Sequence, residues 1–336
     1  MESLKHHPIS LFEVLKAKST ISRYLSPSPL IRYENLSRTL NCHLYIKHEN
    51  YNPTGSFKIR GGINIMSHIK DRQIKGVVTF STGNHGLSVG TSAKQFNIPS
   101  IIVVPNETNP AKIQLIKDTG ANVIEAGNNF DEAAQVVTAL NEEKGYYYVH
   151  PANEPLLING IGTEFLEIIE TLPDIDAIIL PLGGGSEVAA TVTTLKILKP
   201  EIEIYAVQAR ASCAAYSSWK NREICMRNNG TFAGGLATGA GYETTFNLYK
   251  DALADFILLD EAEILRGIAL AAHYTHNMVE GAGSSTLMAA WKLKERLAGK
   301  NVVLQFSGAN ASAAEIKAAY RLPALETGEF SNTLQR

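Results

Sequence analysis

The sequence predicts an α/β protein of two doubly wound domains with mainly parallel sheets. Short β-branched runs alternate with helical segments through most of the 336 residues, which is typical of sheets covered on both sides. The run 101–104 is apolar throughout, as in a strand buried on both faces. Glycine-rich turns follow several predicted strands. Ligands bind at the carboxyl ends of strands in such folds, so the sequence predicts a site where these turns converge.

The elements can be assigned in chain order from apolar periodicity and turn residues. We predict helices at 10–18, 59–68, from the turn at 81–86 to about 96, and at 111–119, 131–144, 161–171, 187–198, 261–279, from 284 to about 297, and after 310. Strands are predicted at 44–47, 77–80, 101–104, 122–125, 146–149, 177–180, 204–207, 256–259 and 302–306. Asp131 is the expected N-cap of its helix. Residues 23–31 should be extended because they contain two prolines, and 212–247 is the least regular segment.

Two breaks divide these elements into two groups. Residues 69–75 and the His150-Pro151 step interrupt the alternation of strands and helices. We therefore expect a small inserted α/β domain at residues 76–150. The larger domain should comprise residues 1–75 and 151–336, with the ligand in the cleft between the two.

Composition excludes several functional classes. Charged residues make up 19% of the chain and the net charge is −2, so neither a nucleic acid nor a membrane is an expected partner. The three cysteines are widely spaced and form no metal-binding pattern, as in a reducing compartment. The N-terminal sequence lacks the apolar region of a signal peptide. These features predict a cytoplasmic location and no metal site.

The turn 52–62 carries the first chemically informative residues. It brings Lys58 to the start of a predicted helix, where partial positive charge disfavours an ammonium group. Its neighbour Arg60 acts in the same direction, and burial beside Phe57 lowers the lysine pKa further. A lysine whose pKa is near neutrality suits Schiff-base chemistry, although most lysines are solvated surface charges.

Three further turns are candidates for ligand binding. Gly183-Gly184-Gly185-Ser186 follows a predicted strand and exposes backbone N–H groups suited to a phosphate; a tight strand-to-helix turn is the alternative. The turn 81–86 adds polar side chains suited to a carboxylate, although His85 more often packs or caps than reacts. The turn 307–310 is a third polar turn at a strand end, and each turn could also be local turn chemistry alone.

Together these turns describe a ligand with a phosphate, a polar aromatic ring and an aldehyde, which is pyridoxal phosphate. The chain resembles the fold-type II pyridoxal-phosphate enzymes, which share the fold of the tryptophan synthase β chain, and within them the serine/threonine dehydratase and serine racemase group. The resemblance extends from about residue 29 to 319. It is carried by Ser56-Phe57-Lys58-Ile59-Arg60-Gly61 and by the order of four later segments: 81–86, 183–186, 280–283 and 307–310.

The resemblance implies roles for individual residues around the cofactor. Lys58 would be the Schiff-base lysine and the base that moves the Cα proton, with Phe57 packed beside the ring. Asn84 would bind the phenolate oxygen. The Ser307 hydroxyl would face the pyridine nitrogen and leave it largely unprotonated, which favours prompt loss of a β-substituent. The phosphate would be bound by Gly183, Gly184, Gly185 and Ser186.

The resemblance also implies a substrate site and one further cofactor contact. Glu280 belongs to the cofactor-binding set. The substrate carboxylate would be held at Ser81, Thr82, Asn84 and His85.

The chain departs from the family pattern at several positions. Thr82 stands where serine racemases have a serine base, which disfavours racemisation. Gln208 and Ala214 stand where many relatives have carboxylates for a divalent cation, so no cation is expected. Three more departures affect substrate preference or the phosphate loop: Gly234 for an aspartate, Ile161 for a glutamine, and Ser186 for a fourth glycine.

The expected function is β-elimination from a small β-hydroxy amino acid, L-threonine or L-serine, to a 2-oxo acid and ammonia. This predicts a pyridoxal-phosphate-dependent ammonia-lyase that forms homodimers or higher homo-oligomers. An amino-acid racemase or a β-replacement enzyme is the alternative within the fold. A non-catalytic cofactor-binding protein is the alternative outside it.

Overall fold

The computed structural model describes residues 7–127 and 130–322, apart from the side chains of residues 130 and 131. The side chain of Asp131, the predicted N-cap, therefore lies outside the described part of the structure. The described part of the chain forms fourteen α-helices and ten β-strands. None of these helices combines the length and the apolar character needed to cross a membrane.

The helices are numbered in chain order. They are α1 Leu11–Ile21, α2 Glu34–Leu40, α3 Lys58–Ile69, α4 Asn84–Gln95, α5 Pro110–Asp118, α6 Phe130–Lys144, α7 Pro155–Thr171, α8 Ser186–Thr191, α9 Ala214–Asn221, α10 Glu243–Tyr249, α11 Glu261–Thr275, α12 Gly281–Lys292, α13 Lys294–Leu297 and α14 Ala313–Tyr320. A π-helical turn, Val192–Lys196, follows α8, and 3₁₀ turns lie at Glu49–Tyr51, Arg210–Ser212 and Gly234–Leu236.

The strands form two sheets. They are β1 Leu30–Arg32, β2 His43–His48, β3 Val77–Phe80, β4 Ser100–Val104, β5 Asn122–Glu125, β6 Tyr147–Tyr148, β7 Ala177–Pro181, β8 Glu203–Ala209, β9 Asp255–Leu259 and β10 Asn301–Phe306. One sheet has the order β1-β2-β10-β7-β8-β9 and the other β5-β4-β3-β6. Only β1 is antiparallel to its neighbour among these pairs. The predicted α/β class with mainly parallel sheets is confirmed.

The four-stranded sheet lies entirely between residues 77 and 148. Its helices nevertheless share a core with the larger sheet, because one hydrophobic cluster includes Val89 of α4, Ile158 of α7 and Ile178 of β7. The division of the chain into domains at residues 76–150 remains a proposal, to which this distribution of strands lends support.

The sheet order places three of the glycine-containing turns side by side. Strands β2, β10 and β7 are neighbours, and parallel strands end at the same edge. The turns after them contain Lys58, Ser307 and Gly183. The strand order reverses about β10, which is where ligands bind in doubly wound folds.

Several predicted elements differ from the observed ones. Helix α7 begins six residues earlier than expected, at Pro155. The segment 212–247, predicted to be the least regular, contains α9 and the first part of α10. Helix α11 ends at Thr275 rather than 279, because His276 adopts a left-handed conformation that stops it. Helix α2 was not predicted.

Candidate active site

Backbone hydrogen bonds join the lysine turn to the turn after β10. The Phe57 amide donates to the Ser307 carbonyl oxygen over 3.1 Å, and the Ala309 amide donates to Gly55 over 2.8 Å. Ser307 is buried at this edge, with 3% of its surface exposed. This pairing fixes the start of α3, and with it Lys58, against the end of β10.

Lys58 reaches the glycine loop through its side chain. Its Nζ donates to Ser186 Oγ over 2.7 Å and lies 4.7 Å from the centre of the Phe57 ring. Desolvation lowers the pKa of the Lys58 amine to about 8, although the nearby carboxyl groups of Glu187 and Glu164 act in the opposite direction. The lowered pKa agrees with the direction predicted from the sequence, and roughly one tenth of the amine is unprotonated at pH 7.

The prediction that Arg60 lowers the pKa of Lys58 is wrong. The Arg60 guanidinium is fully buried and turned toward Glu49 and Glu167. Both carboxylates bind it with two oxygens, at 2.6 to 2.8 Å. Because its charge is matched there, Arg60 anchors α3 to α7 and to the residues after β2 instead of lowering the lysine pKa.

The glycine loop has the shape of an anion cradle. A Cβ atom on Gly183 would lie 2.2 Å from the carbonyl oxygen of Gly235, and Gly185 has a φ of +84°. A Cβ on Gly184 would meet the Ala152 Cβ at 3.2 Å. Only glycine fits at positions 183 and 185 without strain. The backbone of this loop therefore stays uncovered by side chains.

Asn84 connects the loop after β3 to the larger sheet. Its Nδ2 donates to Glu280 Oε1 over 2.6 Å, and its Oδ1 accepts from Asn310 Nδ2 over 2.7 Å. Burial raises the pKa of the Glu280 carboxyl to about 7. The structure therefore brings together Asn84 and Glu280, two residues that the resemblance assigns to the cofactor.

The remaining residues of this loop differ in orientation. Ser81 Oγ accepts from the Gly83 amide over 3.2 Å, and Ser81 and Thr82 are partly exposed. The His85 ring is buried, and its Nε2 lies 3.0 Å from both Thr79 Oγ1 and the Val149 carbonyl oxygen. Burial lowers its pKa to about 3, so the imidazole is neutral. Any contact of His85 with a ligand would have to use its backbone.

Three buried polar residues near Lys58 were missed by the sequence argument: Glu164, Glu187 and Gln305. They lie on α7, α8 and β10, so no local sequence pattern joins them. The sequence signal that could have identified them is an acidic or amide residue within an otherwise apolar segment, because such a residue is buried with its polar group.

Comparisons with known proteins agree with this geometry. A family model described as "Pyridoxal-phosphate dependent enzyme" matches residues 21–308. The chain belongs to this family. Its cofactor is pyridoxal phosphate, and the predicted fold type is confirmed.

Individual relatives include enzymes with named activities. The L-threonine ammonia-lyase of Geobacter sulfurreducens is 35% identical over 300 residues, which cover 88% of this chain and 74% of the relative. The structure of maize serine racemase superposes with a TM-score of 0.88 at 26% identity and covers 94% of this chain and 97% of that one. Threonine deaminase isoform 2 of Solanum lycopersicum has a TM-score of 0.85 at 30% identity, with 92% and 93% covered.

The residues present fit pyridoxal phosphate. The glycine loop offers uncovered backbone N–H groups for a phosphate. The Lys58 amine, with its pKa near 8, suits an aldehyde. Ser56 Oγ is buried beside the lysine turn and has no hydrogen-bond partner within residues 7–127 and 130–322, so an unused polar atom remains at this edge.

Replacing Gly184 by valine should weaken cofactor binding roughly tenfold or more, about 1.4 kcal/mol. The added methyl groups would meet the Ala152 Cβ, only 3.2 Å from the position of the new Cβ, and the Tyr242 ring at 3.6 Å. Titration of the cofactor-free protein with pyridoxal phosphate measures the effect. Gly230→Ala is the control, because its Cβ would make an ordinary 3.7 Å contact. If Gly184→Val bound pyridoxal phosphate with wild-type affinity, the assignment of this loop as the phosphate-binding site would be contradicted.

Proposed function

We propose that this protein is an ammonia-lyase that converts L-threonine or L-serine to the corresponding 2-oxo acid and ammonia. The relatives described above confirm the predicted class, a pyridoxal-phosphate-dependent lyase. The observation that carries the proposal is the Lys58 amine, which has a lowered pKa and lies 2.7 Å from the hydroxyl at the end of the glycine loop.

In this proposal each turn holds one part of the reacting system. The glycine loop, residues 183–186, binds the phosphate and Phe57 packs beside the ring. Asn84, held by Glu280, donates toward the phenolate oxygen, and Ser307 faces the ring nitrogen. When bound, the cofactor supplies the electron-withdrawing system that makes the Cα proton of the amino acid acidic.

Lys58 acts as the base for that proton. Because burial lowers the pKa of its amine to about 8, roughly one tenth of the amine is unprotonated at pH 7. In that form it can accept the Cα proton and become an ammonium group. Loss of the β-hydroxyl group then completes the removal of water, and the enamine that is released takes up one water to give the 2-oxo acid and ammonia. A serine hydroxyl at position 307 would leave the ring nitrogen of a bound cofactor largely unprotonated, and this would favour prompt loss of the β-hydroxyl group.

The substrate carboxylate binds at the loop after β3. The Ser81 and Thr82 side chains are partly exposed there, and a Cβ on Gly83 would contact no other atom within 4 Å. The Asn84 and His85 amides belong to the N-terminal end of α4, where orphan N–H groups favour an anion. His85 contributes its amide, since its ring is held by Thr79 and Val149.

The test is to incubate the holoenzyme with L-threonine and with L-serine. We expect equal amounts of 2-oxo acid and ammonia, with 2-oxo acid well in excess of the inverted amino acid. Thr82 is bulkier than the serine that returns a proton to the opposite face in serine racemases, and its hydroxyl is differently placed, so inversion should be slow. Racemisation that outpaces elimination would contradict the proposal.

A racemase is the second candidate, because the structure of maize serine racemase superposes with a TM-score of 0.88. Thr82 is the residue that discriminates between the two. If Thr82→Ser raises the yield of inverted amino acid while the wild type gives mainly 2-oxo acid, elimination is the native reaction. A homo-oligomeric assembly and a cytoplasmic location are part of the same proposal.

Activity should not respond to a chelator or to added magnesium. Gln208 is fully buried and its Oε1 accepts from the Tyr216 amide over 3.0 Å. Ala214 offers no side-chain oxygen, and the exposed Arg210 nearby repels cations. Turnover with and without a chelator measures this, using one preparation for both. Strong activation by magnesium would show that this loop binds a cation after all.

A further inference from the structure

A row of four aromatic rings connects the four-stranded sheet with helix α10. In order, the rings belong to Phe80, Tyr148, His150 and Tyr242. Neighbouring rings have centroid distances of 6.4, 5.5 and 5.5 Å, and all four residues are partly exposed. Phe80 ends β3, directly before the loop that contains Ser81, and Tyr242 is the N-cap of α10. The row therefore begins at the loop proposed to bind the substrate carboxylate.

The third ring of the row, His150, has neighbours that contact both loops of the proposed site. The carbonyl oxygen of the preceding residue, Val149, lies 3.0 Å from His85 Nε2, in the segment that follows β3. On the other side, the Tyr242 ring lies 3.6 Å from the position that a Cβ atom on Gly184 would take. His150 therefore lies between the loop for the carboxylate and the loop for the phosphate.

The hydrogen bonds of the His150 ring determine its tautomer. Its Nδ1 accepts from the backbone amides of Ala152 and Asn153, over 3.0 and 2.9 Å. A ring nitrogen that accepts carries no proton, so the imidazole is neutral and its proton is on Nε2. Burial agrees with this, because it lowers the pKa of the ring to about 4. Nε2 has no hydrogen-bond partner within residues 7–127 and 130–322.

The fixed direction of this N–H group distinguishes His150 from its neighbours in the row. A tyrosine hydroxyl rotates about its C–O bond, and a phenylalanine ring has no donor. The imidazole is held by two backbone amides and by its ring contacts with Tyr148 and Tyr242. The row thus presents one oriented donor among aromatic surfaces. A few placed polar groups on an otherwise apolar wall are what give a small-molecule site its specificity.

We propose that the Nε2–H group of His150 donates a hydrogen bond to the β-oxygen of the substrate and thereby selects β-hydroxy amino acids. In the proposed reaction, the loop after β3 holds the carboxylate and the amino group lies at Lys58. The β-substituent is the part of the amino acid that remains to face the row. The contact orients the hydroxyl group and moves no proton. The inference rests on the proposed function and adds a specificity-determining residue to it.

The experiment compares the β-hydroxy substrate, L-serine or L-threonine, with β-chloro-L-alanine in the holoenzyme of His150→Phe. Both kinds of substrate have a leaving group on Cβ, but chlorine bound to carbon is a much weaker hydrogen-bond acceptor than a hydroxyl oxygen. Phenylalanine keeps the ring contacts of the row and removes the donor. We expect kcat/KM for the β-hydroxy substrate to fall roughly tenfold, whereas kcat/KM for β-chloro-L-alanine, or its inhibition constant if it is not turned over, should change less than about twofold.

Two further variants separate recognition of the substrate from support of the fold. His150→Gln places an amide N–H near the position of Nε2 and should restore part of the activity on the β-hydroxy substrate. His150→Asn keeps an acceptor for the two backbone amides without that donor, and it should discriminate as poorly as His150→Phe. His43→Phe, at an exposed position on β2, is the matched control and should leave both substrates unaffected.

A binding measurement identifies the group that the donor contacts. Titration of cofactor-free His150→Phe with pyridoxal phosphate should give the wild-type affinity. Weakened cofactor binding would assign the donor to the cofactor phosphate, and equal losses on the two kinds of substrate would show that the ring only supports the fold. Either result would overturn this inference alone. Absence of elimination from both L-serine and L-threonine in the wild-type holoenzyme would overturn the proposed function and, with it, the inference.

Discussion

Replacing Lys58 by alanine is expected to abolish the visible absorption band of the bound cofactor and to lower kcat/KM by at least about 10³-fold. The variant loses both the amine that joins the cofactor and the base that accepts the Cα proton. The methyl group of alanine also leaves the Ser186 hydroxyl without the donor now 2.7 Å away. Spectra of the dialysed holoenzyme and initial rates of 2-oxo acid formation measure the two losses.

The control for this variant is Lys70→Ala. Lys70 is the C-cap of the same helix and is exposed. The substitution therefore removes a lysine from the far end of α3 without touching the site. We expect wild-type spectra and rates. A Lys58→Ala protein that retained the band after dialysis would remove Lys58 from its proposed role.

Replacing Arg60 by methionine should destabilise the fold by about 3–5 kcal/mol, because it leaves a buried carboxylate unpaired. Arg60 and Glu49 are both fully buried and form hydrogen bonds of 2.7 Å through two guanidinium nitrogens. Denaturant unfolding measures the loss. Activity per folded molecule should also fall, since Arg60 fixes the helix that begins at Lys58.

The surface pair of Arg32 with Glu34 provides the control. Its side chains are 42% and 66% exposed, so Arg32→Met should change stability by less than about 1 kcal/mol. Equal losses in the two variants would show that burial does not determine the strength of the Arg60 network.

The Arg60 pair also predicts a dependence of stability on pH. Burial alone would raise the pKa of Glu49, but the charge and hydrogen bonds of Arg60 lower it to about 2. A carboxyl whose pKa is depressed in the folded state stabilises the protein above its ordinary pKa of 4.5. That contribution is lost as the pH falls from about 4.5 toward 2, and Arg60→Met should lose less stability over this range.

Strand positions could be predicted well from the sequence, whereas the start of one long helix could not. Strands β3 and β5 have the predicted limits. Helix α7 was predicted to begin only after Gly160, with Gly162 already inside it, whereas the observed helix begins at Pro155. Both glycines allow close helix packing: a Cβ on Gly160 would lie 2.6 Å from the Arg60 carbonyl oxygen, and one on Gly162 would lie 2.6 Å from Val14. Such contacts depend on partners distant in sequence.

The site could be predicted as a set of turns but not as a set of orientations. Turn chemistry and strand ends were sufficient to bring Lys58, Ser307 and Gly183 to one edge. The inward direction of the His85 ring depends on Thr79 and Val149, and the latter is 64 residues away. The position of Glu187 near Lys58 depends on how α8 packs against α7, α10 and β7. Local patterns carry no information on either.

The most direct test of the account is to locate the cofactor on the chain. Reducing the holoenzyme with borohydride would fix the cofactor to its lysine through a stable bond, and peptide mapping by mass spectrometry would identify that lysine. The account predicts the added mass of the reduced cofactor on the peptide that contains Lys58, in stoichiometric amount. Attachment to another lysine, or no attachment to any, would contradict it.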